Sequence, residues 1–258
     1  MTDLANAYGQ GALAWSDGPA RVYGPLAEML VAFSPEPVDG KLTLEVGSGT
    51  GAGSRAALAA GARVVASDLA PGMLQLDYDH RPPSAAGDVE QLPFRDDAFD
   101  IVLAPFVLNH LLDPGRGVRE TTRVAPLLLA STYAADDDHP AKAAVETALA
   151  EEGWARPDWY ANVKAIMASW GTVDEVTAIL ERNAVDVVRV ERLEVAFPSL
   201  GPVDMVAWRQ GLAQCAPFLA GLPEERRARV QARALEILGP DPEPIVRRVI
   251  FVAARRVR

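Results

Sequence analysis

The pattern of apolar and polar positions is most regular between residues 41 and 131. Short apolar segments recur there, and each is followed by a stretch in which apolar positions return every three or four residues. This alternation is typical of strands and helices in a parallel, doubly wound α/β sheet. We therefore expect strands at 41–46, 63–67, 100–104 and 127–131.

The flanking segments have a mainly helical pattern, interrupted by two late apolar strands. We predict a single Rossmann-like domain, in which helices cover the core and a C-terminal antiparallel strand forms the sheet edge. Its predicted parts are a helical cap at 1–40, a core at 41–133, helical lid insertions at 134–182 and 200–240, and edge strands at 185–197 and 246–254.

A glycine-rich loop follows the first predicted strand. From Glu45 the chain reads Glu-Val-Gly-Ser-Gly-Thr-Gly-Ala-Gly. Glycines at alternating positions let the backbone turn sharply and let a ligand pack directly on main-chain atoms. Gly47, Gly49 and Ala52 also fit the dinucleotide-binding pattern G-x-G-x-x-A, so the loop alone leaves a nicotinamide cofactor open.

Two later acids narrow the choice of cofactor. Asp68 ends the second predicted strand, where it can accept hydrogen bonds from both hydroxyls of a ribose or cap the next helix. Asp88 is at the end of a third strand, between those at 63–67 and 100–104, where it can receive an adenine amine, with Leu69 and Val89 against the ring. With Glu45, these acids would repel a pyrophosphate. They favour a cofactor with a ribose, an adenine and a cationic amino-acid tail.

Four ordered segments resemble the class I S-adenosylmethionine-dependent methyltransferases, in particular the ubiquinone/menaquinone-type group of small-molecule enzymes. They are Glu45–Gly51, Asp68–Leu74, Gly87–Phe94 and Phe99–Val102. The resemblance implies S-adenosylmethionine as the cofactor and methyl transfer to a small acceptor. One departure is the turn before the fifth strand, where the family has Pro-Gly-Gly and this chain has Ala125-Pro126-Leu127.

The resemblance also assigns roles to residues. The loop glycines would lie against the methionine part and the ribose, with Glu45 near the methionine amino group, directly or through water. Asp68 would hold the ribose hydroxyls, and Asp88 the adenine amine. The expected cofactor-binding residues are Glu45, Gly47, Ser48, Gly49, Gly51, Asp68, Leu69, Met73, Asp88, Val89 and Pro105.

The acceptor site is expected after the fourth strand and beneath the lid. Methyl transfer needs alignment of the reactants, exclusion of water and, for some acceptors, removal of a proton. The candidate catalytic residues are His110, Tyr23 and Tyr8, and the candidate pocket residues are Phe106, Asn109, Tyr133 and His139. Asn109, His110 and His139 have the alternative of capping helices. All five tryptophans lie outside residues 40–131, so an aromatic lid would suit a flat, largely apolar molecule.

Composition limits the partners. The chain of 258 residues has 35 acids and 25 bases, a net charge of −10, which argues against nucleic acid and anionic membrane. The single cysteine, Cys215, excludes an internal disulfide and favours a cytoplasmic location. Asp136–Asp138 precede a predicted helix and suit its N-terminal dipole, so no metal is expected. A small-molecule acceptor is the expected partner, and the sequence does not indicate an oligomeric state.

Two other functions remain open at this point. One is an NAD(P)-dependent oxidoreductase that uses the same glycine loop, although Asp88 and Glu45 count against it. The other is a methyltransferase-like protein that binds the cofactor without transferring methyl, as a sensor or scaffold or in a different rearrangement. The four segments do not separate this last function from methyl transfer.

Overall fold

A computed structural model describes residues 2–257 of the chain, and its centre is one mixed sheet of seven strands. The strands are β1 (Leu42–Val46), β2 (Arg63–Asp68), β3 (Ser84–Ala86), β4 (Ile101–Pro105), β5 (Leu127–Tyr133), β6 (Val185–Phe197) and β7 (Ile245–Arg256). Their order is β3-β2-β1-β4-β5-β7-β6. The first five strands pair in parallel, and β7 runs antiparallel to both β5 and β6. The predicted fold class is confirmed, with β6 outside β7 at the sheet edge.

Helices cover both faces of the sheet and its carboxyl edge. They are α1 (Thr2–Gln10), α2 (Ala12–Asp17), α3 (Ala20–Ala32), α4 (Ala52–Ala59), α5 (Pro71–Gln75), α6 (Pro114–Val124), α7 (Pro140–Glu151), α8 (Asp158–Ala168), α9 (Val173–Arg182), α10 (Pro202–Gln210), α11 (Ala216–Ala220) and α12 (Glu224–Leu238). The long helical stretch after β5 is divided between α7 and α8, because Gly153 takes a φ of +89° and Pro157 is the N-cap before α8. None of these helices, within the part of the chain described, has the length and apolarity to cross a bilayer.

The central strands are apolar throughout because helices bury both of their faces. In β4, Ile101 and Leu103 belong to the hydrophobic cluster on one face, and Val102 and Ala104 belong to the cluster on the other. All four residues are at most 1% exposed. This two-sided burial is typical of parallel sheets. It explains why β4 reads as an uninterrupted apolar segment rather than an alternating one.

The carboxyl edge of the sheet is where the chain brings its chemistry together. Parallel strands end at one edge, and ligands of open α/β sheets bind outside it. Since β7 is antiparallel and Val249 pairs with Tyr133, the first residues of β7 lie at this same edge. Helix α1 closes over it, and a Cβ added to Gly72 would lie 2.8 Å from Gly9 Cα. The absence of side chains at both glycines lets α1 and α5 touch.

Candidate active site

A cavity of about 410 Å³ lies at the carboxyl edge, between the glycine loop and the covering helices. We call its two parts the loop end and the aromatic end. The loop end is lined by Gly47, Gly49, Asp68, Leu69, Met73, Gly87, Asp88, Val89 and Pro105. The aromatic end is lined by Tyr8, Trp15, Tyr23, Phe106, Asn109, His110, Tyr133, Trp159, Tyr160, Trp208 and Gln214, and by the charged residues Asp137, Lys142, Lys164, Arg209 and Arg247.

The glycine loop needs glycine for both conformation and clearance. Gly47 has a φ of +60°, and a Cβ there would lie 2.4 Å from Val107 Cγ2. Gly49 has a φ of +50°, lines the cavity and has open space where a side chain would begin. The left-handed conformation is one that other residues adopt at a cost. The loop therefore presents bare backbone to the cavity.

The two predicted acids stand at the loop end. Asp68 accepts hydrogen bonds from the Gly49 and Ala70 amides, both at 2.7 Å, and burial raises the pKa of its carboxyl. Asp88 accepts one from the Glu90 amide at 2.9 Å. Carboxylate oxygens have lone pairs to spare after these bonds. With the bare backbone beside them, the residues present fit a ligand that carries a ribose and an adenine.

Three predicted cofactor residues do not line the cavity. Glu45 points at the start of α4, where it accepts hydrogen bonds from the Gly53 and Ser54 amides at 3.0 and 2.7 Å. Its burial raises the carboxyl pKa to about 7. Ser48 accepts a bond from Arg81 at 3.1 Å, and Gly51 precedes α4 with a φ of +88°. Glu45 therefore supports the loop from behind, and its place near the methionine amino group, directly or through water, stays a prediction.

The three candidate catalytic residues do meet in the cavity. Tyr8 Oη and His110 Nε2 are joined by a hydrogen bond of 3.1 Å, although the residues are 102 positions apart. Burial raises the Tyr8 pKa well above its usual value and lowers the His110 pKa to about 4. At neutral pH the imidazole is therefore uncharged. Its Nδ1 is buried without a hydrogen-bond partner, which leaves one ring nitrogen for a ligand.

Aromatic rings form a continuous wall next to this pair. Tyr23 meets Phe106 edge-on at 5.2 Å, and Phe106 stacks on Tyr133 at 4.4 Å between ring centroids. Trp15 contacts Tyr23 at 4.8 Å. Asn109 is 1% exposed, and both polar atoms of its amide lack partners. The wall offers flat apolar surface with a few unsatisfied polar groups, the combination expected of a pocket for small molecules.

His139, predicted as a pocket residue, lies outside the cavity lining. Its Nδ1 accepts a hydrogen bond from the Ala141 amide at 3.2 Å, and its Nε2 is 3.0 Å from the Glu243 carbonyl oxygen. The ring packs edge-on behind Trp208 at 6.4 Å. Both nitrogens are engaged, so His139 caps α7 and supports the wall, which is the alternative that its position before Pro140 left open.

The sequence interpretation missed a buried ion pair at the aromatic end. Arg247 donates to Asp137 through Nε at 3.0 Å and through Nη2 at 2.5 Å. Asp137, expected to interact with a helix N-terminus, is thus an ion-pair partner in the wall. A signal was present, because Arg247 alternates with Ile245 and Val249 on the face of β7 that is fully buried. Arg209 and Lys142 lie on helices, where the sequence pattern did not indicate that their side chains face the cavity.

Comparison with known proteins agrees with this geometry. Residues 44–126 match the methyltransferase domain family. The demethylmenaquinone methyltransferase of Clavibacter sepedonicus is 41% identical over 93 residues, which are 34% of this chain and 38% of that protein. The match thus spans well under half of the relative's length.

Two solved structures share the fold over most of the chain. Phosphoethanolamine N-methyltransferase 2 of Haemonchus contortus, in complex with S-adenosyl-L-methionine, has a TM-score of 0.54 at 16% identity. The match covers 91% of this chain and 53% of the Haemonchus chain. The [4+2]-cyclase SpnF has a TM-score of 0.52 at 17% identity and covers 90% and 81%. The expected resemblance and cofactor are supported: residues 44–126 match a methyltransferase domain and are similar to the menaquinone-type enzymes that use S-adenosylmethionine.

Proposed function

We propose that this protein transfers a methyl group from S-adenosylmethionine to a hydroxyl of a small aromatic acceptor. The observation that carries the proposal is the single cavity that joins Asp68 and Asp88 at one end to the Tyr8–His110 pair at the other. Residues from the N-terminal helices, the sheet and the later helices line this one cavity. That shared lining supports the view that the chain acts as one methyltransferase domain.

Each part of the cavity has a physical task in this reaction. When bound, S-adenosylmethionine supplies an electrophilic methyl group on a sulfonium. Asp68 would hold the ribose hydroxyls, and Asp88 would accept a hydrogen bond from the adenine amine. The rings of Phe106 and Tyr133 would hold a flat acceptor and exclude water, which favours alignment over side reactions.

Proton removal falls to His110. The imidazole is neutral above about pH 4 because of its burial, so it has an unprotonated ring nitrogen across the whole neutral range. In the tautomer that this role requires, Nε2–H donates to Tyr8 Oη and so fixes the ring, and the partnerless Nδ1 is the nitrogen that would receive the acceptor's hydroxyl proton. A base that must act in this way suits oxygen acceptors, which lose a proton on methylation.

The oxidoreductase alternative is less well supported by the sheet. Dinucleotide-binding domains have the parallel order 3-2-1-4-5-6. Here the sixth position is taken by the antiparallel β7. The second alternative is cofactor binding without methyl transfer. A protein of that kind would have the same loop end, so only a measurement of methyl transfer distinguishes the two functions.

Isothermal titration calorimetry with S-adenosylhomocysteine and with NAD tests the cofactor. We expect micromolar binding of the first, of the order of −8 kcal/mol, and none of the second. Release of S-adenosylhomocysteine on incubation with S-adenosylmethionine and a panel of phenols tests the reaction. His110→Ala should bind the product cofactor as well as the wild type and lose turnover, on the order of a hundredfold. Tight NAD binding, or full turnover in His110→Ala, would contradict the proposal.

A further inference from the structure

We propose that the acceptor is an acid, whose carboxylate is bound at the aromatic end by the free edge of Arg247. This inference rests on the proposed function, since it names the substrate class of the same cavity. It is carried by three features of the wall: the arrangement around the guanidinium, the partnerless donors beside it, and the balance of charge.

The guanidinium of Arg247 is held on three sides and free on the fourth. Its central carbon lies 4.1 Å from the ring centroid of Tyr133 and 4.6 Å from that of Trp208. Asp137 occupies the edge formed by Nε and Nη2. Nη1 is buried and has no hydrogen-bond partner, and the residue lines the cavity with only 3% of its surface exposed. A donor fixed in this way is prepared for a planar oxyanion.

Further buried donors of the same wall lack partners. Trp208 Nε1 and Gln214 Nε2 line the cavity and make no hydrogen bond. A buried N–H without a partner is costly, and in folded proteins such groups are rare. Together with Arg247 Nη1 they are three donors without partners, and the amide of Asn109 and the hydroxyl of Tyr133, which also lack partners, can each donate as well as accept. An acceptor-only group such as a carboxylate satisfies such donors, whereas an amide or a hydroxyl brings hydrogens of its own.

The charges of the aromatic end favour an anion as well. Four cationic residues, Lys142, Lys164, Arg209 and Arg247, line it, and three carboxylates pair with them: Asp137, Asp138 at 3.3 Å from Lys142, and Glu146 on Arg209, which leaves an excess of one positive charge. Asp137 is shared, because Lys142 Nζ lies 3.4 Å from Asp137 Oδ2 while Arg247 binds both oxygens. The chain as a whole has a net charge of −10, so this wall is opposite in sign to the rest of the molecule. Fields of this kind raise the local concentration of anions.

Asp137 also limits the kind of anion. It lies on the same guanidinium, within the low-dielectric wall, and would repel a second negative charge more strongly the more charge the ligand carries. A carboxylate carries one negative charge, and a phosphate monoester carries close to two at neutral pH. The site therefore fits an aromatic carboxylic acid better than an aryl phosphate.

The test compares matched ligands on the protein saturated with S-adenosylhomocysteine. The probes are 4-hydroxybenzoate, its neutral isostere 4-hydroxybenzamide, methyl 4-hydroxybenzoate and 4-hydroxyphenyl phosphate, with binding measured by calorimetry. We expect the acid to bind at least about tenfold more tightly than the amide and the ester, because its hydrogen bonds are charge-assisted. We also expect it to bind more tightly than the phosphate. Equal binding of acid and amide, or no binding of either at about 10 mM, would contradict the inference.

Three variants test which side chains cause the preference for the acid over the amide. Arg247→Lys keeps a cation for Asp137 and removes the free edge, so the ratio of acid to amide affinity should fall to within about threefold. Trp208→Phe keeps a ring against the guanidinium and removes only the N–H, so the ratio should fall part of the way. Arg248→Lys is the matched control, because the neighbouring Arg248 faces out to Glu194 at 3.2 Å, and the ratio should not change.

Affinity for S-adenosylhomocysteine separates the possible failures. We expect it to be unchanged in all three variants, because the loop end is untouched. If the wild-type protein does not bind S-adenosylhomocysteine, the proposed function is refuted. If it binds S-adenosylhomocysteine but binds the acid no more tightly than the amide, only the inference is refuted. Should Arg247→Lys fail to fold, Trp208→Phe still decides, and a full acid preference in that variant would contradict the assigned donors.

Discussion

The two ends of the cavity are built in different ways. The loop end comes from one stretch of chain, residues 47–105, in which consecutive strand ends deliver backbone and carboxylates to one place. The aromatic end is assembled from segments far apart in sequence, as the pairs Tyr8–His110 and Asp137–Arg247 show. Under the proposed function, recognition of the cofactor is therefore a local property of the chain, and recognition of the acceptor is a property of its tertiary structure.

This difference matters for how the two ends change. The loop end tolerates few substitutions because it depends on the backbone conformation of glycines. At Gly47, the positive φ disfavours other residues, and there is no room for a side chain. The aromatic end consists of side chains on helices and on β7, which can be exchanged one at a time. The same cofactor site can thus serve different acceptors, and the comparison can be tested by variants confined to one end.

Asp68→Ala should have the largest effect and should act on the loop end alone. Loss of the carboxylate removes charge-assisted hydrogen bonds to the two ribose hydroxyls, of about 1.5–3 kcal/mol each, so affinity for S-adenosylhomocysteine should fall on the order of a thousandfold. Calorimetry measures it. Asp79→Ala, at an exposed position, is the matched control. Retention of affinity within about threefold by Asp68→Ala would remove Asp68 from the cofactor site.

The next largest effect should be a dependence of the free energy of unfolding on pH, caused by His110 at the aromatic end. The folded-state pKa of His110 is about 4, below its ordinary 6.5, because burial disfavours the charged ring. Unfolding therefore takes up a proton below about pH 6.5. Stability is complete above that value and falls as the pH drops towards 4, by about 3 kcal/mol in all.

Urea titration of wild type and His110→Gln at several pH values measures this contribution as a difference. Glu45, whose pKa burial raises to about 7, titrates in both proteins and cancels. The stability of the wild type relative to the variant should decrease by about 2–3 kcal/mol between pH 7 and pH 4.5. His80→Gln controls for loss of an exposed imidazole. A difference that does not vary with pH would mean that the His110 ring is accessible to water.

The sequence predicted position well and orientation poorly. The strands, the glycine loop, Asp68 and Asp88 follow from local pattern, because strand ends and turn residues determine their place. Glu45 was correctly located on β1, but its bonds to the unpaired amides at the start of α4 were not foreseen. The partnership of Asp137 with Arg247 spans 110 residues and depends on the antiparallel placement of β7. No local pattern carries that information.

Gly53→Ala should give a smaller effect, on the support beneath the loop end. A Cβ there would lie 2.4 Å from Glu45 Oε1 and 2.9 Å from Leu103 Cδ2, both buried, so we expect destabilisation of about 1–3 kcal/mol. Gly24→Ala is the matched substitution within another helix, where nothing lies within 4 Å. It should stabilise the protein by about 0.5–1 kcal/mol. Chemical denaturation that gave both changes the same sign would contradict the packing described for Glu45.

Tyr8→Phe should give the smallest effect, and it tests the separation of the two ends most directly. The change removes the hydroxyl bonded to His110 and keeps the ring that packs on Trp15 at 5.5 Å. One neutral hydrogen bond contributes about 0.5–1.5 kcal/mol, so turnover should fall roughly three- to tenfold as the imidazole loses its orientation. Affinity for S-adenosylhomocysteine should be unaltered, because Tyr8 holds no loop residue.

Tyr78→Phe provides the control for Tyr8→Phe, since Tyr78 is 69% exposed and away from the cavity. Steady-state kinetics with any acceptor found in the phenol panel, together with calorimetry, give both quantities for both variants. If Tyr8→Phe weakened binding of S-adenosylhomocysteine as much as it slowed turnover, α1 would be holding the cofactor as well as the acceptor. The division of the cavity into a local cofactor site and a tertiary acceptor site would then fail at the place where the two ends meet.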